Sequence, residues 1–181
     1  MLSDKMIDAL NEHMNKEMYS AYLYMSMSAY SDSIGLKGFA RWFMVQYHEE
    51  MFHAMKFFEY IQSQGGTIKL HRIDEPPAEW DSPLDLFEKT LAHEQMVTQR
   101  INDLMDRAIE EKDHATRIFL QWYVTEQVEE EENDNEIIDQ LKLIKDHPQG
   151  LLMLDRELGA RKVTVPLDYA LGVGSESESA E

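Results

Sequence analysis

Glu50 and His53 stand three residues apart in "YHEEMFHAM", close to one helical turn, so a carboxylate and an imidazole share a face. That pair suits a single metal ion. Alone, Glu-x-x-His is a weak signal, because a lone histidine on an apolar face is more often a satisfied core residue. Three other segments offer similar donors: Glu17 in "NKEMYSAYLY", Glu94 in "AHEQ", and Gln127 with Glu130 in "FLQWYVTEQVEEE". Four carboxylates gathered out of water repel one another and cannot all stay ionised without cations. Two divalent ions would neutralise Glu17, Glu50, Glu94 and Glu130 in full. The donors are mainly oxygen with one imidazole, and the chain has no cysteine. Such a set favours iron or manganese over structural zinc.

Helices must carry these residues to one level. Ser3 or Asp4 caps a first helix running to about Ser31, with Gly35 and Gly38 at the turn. A second runs from about Leu36 to Gln64 and stops at Gly65-Gly66. Ser82 as cap and Pro83 in the first turn open a third, which ends near Lys112. Asp113 caps a fourth lasting to about Asp146, and Pro148 opens a shorter fifth, "PQGLLMLDRELGAR". Each of the first four spans roughly 40–50 Å at 1.5 Å per residue. The segment "GTIKLHRIDEPPAEWD" has two prolines and no helical period. Extended at about 3.3 Å per residue, it is long enough to return along a whole helix. The expected fold is therefore all-α: a four-helix bundle with a long crossover that makes helices two and three parallel, and a short fifth helix. Residues 1–161 form the expected domain, and 162–181, ending in Gly, Ser and Glu, an expected disordered tail.

Alternating steps of three and four trace the row of each helix that faces a bundle core. Helix one gives Met6, Leu10, Met14, Glu17, Ala21 and Tyr24; helix two gives Phe39, Phe43, Gln46, Glu50, His53 and Phe57. Helix three gives Phe87, Leu91, Glu94, Thr98 and Ile101; helix four gives Leu120, Tyr123, Gln127, Glu130, Asp134 and Ile137. Every row is mostly apolar at its ends and polar in its middle. The polar residues therefore converge at one height whichever way each helix points.

The formal net charge of −18 argues against nucleic acid as a partner and for metal cations or plain solubility. No apolar run is long enough for a membrane span, and the polar N-terminus does not read as a signal peptide, so a cytoplasmic protein is expected. In "TEQVEEEENDNE", residues 125–136, Glu126 faces Glu130 and Glu132 faces Glu136. Each like pair costs a few tenths of a kcal/mol, and bound cations would offset the inward-facing part of that cost.

These motifs together resemble those of the non-haem ferritins of bacteria and archaea, over roughly residues 1–160. The resemblance implies a ferroxidase that oxidises Fe(II) with dioxygen and stores Fe(III) as mineral in a hollow shell of 24 copies. Glu17, Glu50 and His53 would bind the first iron, and Glu50 would bridge to a second held by Glu94 and Glu130, with Gln127 in the pocket. Tyr24 and Trp122 match aromatic residues close to the centre. Glu49, Glu126 and Glu129 match a third iron site facing the mineral cavity; by spacing, each is rotated about 100° off the core row. Gln127-x-x-Glu130 stands where bacterioferritins carry a second Glu-x-x-His, and no haem is expected. Met51, beside Glu50, is read as packing. The competing expectations are a two-iron or two-manganese oxygenase or peroxidase on the same bundle, or a mere acidic cation buffer. Rubrerythrin-like peroxidases append a cysteine-ligated iron domain, and this chain has no cysteine.

Overall fold

Three side chains start three of the helices as their sequence requires. Ser3 Oγ accepts from the Met6 amide at 3.0 Å, Ser82 Oγ from Asp85 at 3.1 Å, and Asp113 Oδ1 from Thr116 at 3.1 Å. In the computed structural model, which describes residues 2–145 and 147–166, these caps open α1 (Asp4–Ser33), α3 (Pro83–Glu110) and α4 (His114–Ile144). Helix α2 (Lys37–Ser63) follows the turn at Gly35, whose φ of 86° is easy only for glycine, and is followed by Gly65 at φ 76°. Helix α4 stops slightly before the expected Asp146: Lys145 has a φ of 47° and turns the chain towards α5 (Pro148–Leu158). Residues 162–166 carry no helix or strand. The disorder expected for the tail falls mainly on residues 167–181, outside the described residues.

The segment 66–81 is tied to α1 at four levels. Asn11 donates to the Thr67 carbonyl and accepts from the Lys69 amide; Asn15 does the same with Arg72 and His71. Farther along, Ser26 donates to the Pro77 carbonyl and Tyr30 to that of Trp80. The crossover thus runs in the direction of α1 and delivers the chain to the level where α2 began. Helices α2 and α3 are parallel, as its length predicted.

Helix α1 packs on α2, and α3 on α4. Two apolar clusters occupy the two ends of the bundle. Tyr24, Phe39, Phe43, Phe87 and Ile137 belong to one; Met14, Phe57, Ile101, Leu120 and Tyr123 belong to the other. The polar level lies between them, so it is closed at both ends. Helix α5 docks on α2 through a close backbone approach, since a Cβ on Gly38 would stand 1.5 Å from the Asp155 carbonyl oxygen. Asp155 also supplies the cap that α2 lacks locally, accepting from the Gly38 and Phe39 amides at 2.7 and 3.1 Å.

Candidate metal centre

Glu17 of α1 and Glu50 and His53 of α2 meet at the polar level, all buried, with one ligand atom from each within 4.8 Å of the others. His53 Nδ1 lies 3.7 Å from both Glu17 Oε2 and Glu50 Oε2. Those separations exceed hydrogen-bond length. They suit donors about 2.1 Å from a common ion, which stand roughly 3–4 Å apart. Glu17 Oε2 and Glu50 Oε2 are buried without a hydrogen-bond partner, whereas Glu17 Oε1 has His13 Nε2 beside it at 2.6 Å. Such atoms are costly unless a cation satisfies them, and the set of two carboxylates and an imidazole suits iron.

Helices α3 and α4 bring Glu94 and Glu130 to the same level, both buried. Outside the Glu17–Glu50–His53 group, no other set of three such donors converges as tightly among the described residues. Glu94 and Glu130 are instead held by neutral donors. Tyr24 Oη donates to Glu94 Oε1, Gln127 Nε2 to Glu94 Oε2 at 3.0 Å, and Gln46 Nε2 to Glu130 Oε2 at 3.0 Å. Trp122 sets its ring edge-on to His53, with centroids 5.2 Å apart.

The electrostatics describe a cluster short of positive charge. Burial first and then Glu17 push the Glu50 carboxyl well above the usual range. Burial and then Glu130 push Glu94 up to about 7. Burial also raises Glu130, opposed by Arg161. For His53 burial acts downwards, but its contacts with Glu17 and Glu50 win and raise it well above the ordinary imidazole value. Glu17 departs the other way: burial would raise it, yet His13, His53 and Glu50 hold it well below. Divalent ions would supply the missing charge at the three raised carboxylates.

Glu49, Glu126 and Glu129 lie on the neighbouring face. Glu49 is buried, Glu126 half-buried and Glu129 exposed. Burial raises Glu126, and repulsion from Glu129 and Glu49 adds to it. No local pattern in the sequence marks what holds Glu49. Arg161 Nη2 pairs with its Oε2 at 2.6 Å and Thr164 Oγ1 donates to its Oε1 at 3.1 Å, while the guanidinium packs 4.6 Å over Trp42. Three more residues of the site escaped attention as functional. His13 touches Glu17, and its four-residue spacing was a signal that could have found it. Gln46 holds Glu130. Asp134 stood in the core row and is fully buried with both carboxylate oxygens unpartnered.

The family model for the ferritin-like domain matches residues 7–144. A bacterial non-heme ferritin of Bacteroides fragilis is 42% identical over 161 residues, covering 89% of this chain and 100% of the relative. One of Staphylococcus saprophyticus is 43% identical over 161 residues, covering 89% and 96%. The open-pore ferritin of the hyperthermophilic archaeon Archaeoglobus fulgidus superimposes with a TM-score of 0.89 at 53% identity, covering 90% of this chain and 100% of that one.

Proposed function

Since the chain belongs to the ferritin family of ferritin-like domains, we propose that it oxidises Fe(II) with dioxygen at a two-iron centre and stores the ferric product inside a shell of its own copies. The observation that carries the reading is the buried Glu17–Glu50–His53 group with its unpartnered oxygens, faced by Glu94 and Glu130 from the other helix pair. Iron is the substrate here. Glu17, Glu50 and His53 take the first Fe(II), and Glu50 also serves the second, held by Glu94 and Glu130. Each Fe(II) gives one electron, and dioxygen takes the pair with two protons from solvent and leaves as hydrogen peroxide. The carboxylates stabilise the added charge on the ferric ions. Tyr24, Gln46 and Gln127 keep Glu94 and Glu130 oriented while iron passes through. The deciding experiment takes protein expressed in iron-rich medium, measures its native mass and iron per subunit, and follows oxygen uptake on adding Fe(II). The expected result is a particle of about 24 subunits, with iron far above two per subunit and oxygen consumed. A monomer in neutral buffer of moderate salt would refute the shell, and Fe(II) binding without oxygen uptake would leave only a cation buffer.

Glu49, Glu126 and Glu129 form a third cation position on the way from the centre to the cavity. Their adjacency is supported by the repulsion from Glu129 and Glu49, which adds to burial in raising Glu126. Arg161 pairs with Glu49, so a cation arriving there must displace a guanidinium. Replacing all three glutamates with Gln is expected to leave the first two-iron oxidation largely intact and to change the later ones. Iron oxidised and oxygen consumed over successive additions of two Fe(II) per subunit check this. Identical stoichiometry and rate in every addition would return the three to a solvated surface role.

A further inference from the structure

The two oxygens of Glu17 are engaged differently. Oε2 is the one 3.7 Å from His53 Nδ1, on the side where the donors converge. Oε1 lies 2.6 Å from Nε2 of His13, one turn earlier on α1. His13 is 3% exposed and Glu17 1%, so the contact is shielded from water. The His13 ring sits edge-on to Phe57, with centroids 4.8 Å apart, and Phe57 in turn lies 4.4 Å from Tyr123. The imidazole cannot swing away without disturbing the apolar cluster behind it. His13 lines a groove between α1 and α3, whereas Glu17 does not line it and is 1% exposed. The two atoms are in close contact, and with both side chains buried the carboxylate has little room to turn that oxygen elsewhere.

We propose that His13 is a positioning residue for the first metal position: by occupying Glu17 Oε1 it makes Glu17 a one-oxygen ligand through Oε2. This rests on the reading of Glu17 as an iron ligand. A carboxylate held on its outer oxygen cannot chelate the ion with both, so the first position keeps a lower coordination number and an open place. The arrangement is the mirror of the familiar carboxylate–histidine–metal series, with the histidine as the outer partner and the carboxylate as the ligand.

Co(II) is the probe, titrated without oxygen into the metal-free assembled protein, because its visible absorption weakens as coordination number rises. His13→Leu is expected to bind Co(II) at the first position about 10–100-fold more weakly, the usual effect of losing an outer partner. Its absorption per bound ion should fall as Glu17 swings to chelate. His13→Gln, whose amide can donate to the same oxygen, should recover the parent spectrum and most of the affinity. Parent affinity and spectrum in His13→Leu would overturn the inference, even if that variant melted earlier, since a structural role alone would do that. Glu17→Gln separates the two layers. If it binds Co(II) like the parent, the ligand assignment fails and takes His13 with it; if it binds weakly while His13→Leu is unchanged, only the role of His13 fails.

Discussion

Metal-free protein given two Fe(II) per subunit in air will oxidise the iron more than about 100-fold more slowly when it carries His53→Ala or Glu130→Ala. Loss of even an outer-shell partner typically costs about 10–100-fold, and these two residues are assigned to the metals themselves, one in each half of the centre. The variants differ in what they do to the empty protein. His53 is the partner that Glu17 and Glu50 share, so its loss leaves two buried carboxylates closer to bare. Glu130 repels Glu94 and is the second cause of that group's rise to about 7, after burial. Removing Glu130 therefore relieves strain, and the helical content of Glu130→Ala should match the parent. Stopped-flow absorbance at the ferric band, with circular dichroism as the control, checks both. Oxidation at the parent rate in both variants would sink the site assignment.

Asp134→Asn will make the metal-free protein more resistant to heat at pH 8 by roughly 5–10 °C, and will change little at pH 4–5. Burial first, then Glu94 and Glu130, push the Asp134 carboxyl up to about 9. The groups whose charge it feels are Glu94 from α3, Glu130 and Glu131 from α4, Arg161 from the segment after α5 and, through its own effect on the phenol, Tyr24 from α1. In the unfolded chain the same carboxyl titrates near 3.9. Between those values the unfolded state has lost a proton that the native state still holds. Stability therefore falls as pH rises from about 4 towards 9, by an amount on the order of a few kcal/mol. At about 2–4 °C per kcal/mol for a chain of this size, that gives the expected shift. Asparagine has the same shape and never ionises, so the difference between the two proteins isolates this carboxyl. Melting curves at pH 4.5 and pH 8 measure it. An equal gap at both values would show that Asp134 titrates normally.

Much of the bundle and its centre is legible in the sequence. The three-and-four rows placed Glu17, Glu50, His53, Glu94, Gln127 and Glu130 on inward faces at one height, and all six are buried at the polar level between two apolar clusters. Caps and breakers located the helices, because Ser3, Ser82 and Asp113 act within one turn of their own backbone. The sixteen-residue crossover implied parallel α2 and α3, because chain length bounds how far an extended segment can travel. Periodicity assigns each residue an azimuth and a height on its own helix. It does not say which residue of another helix stands opposite, or which rotamer closes the gap. For that reason Gln46 on Glu130, Tyr24 on Glu94, Arg161 on Glu49 and the Asp155 cap on α2 belong to the tertiary structure alone. Each joins segments from 70 to 117 residues apart. The lack of partners at Asp134 is of the same kind: an inward carboxylate is visible in the row, but an unpartnered one is a statement about every neighbour at once.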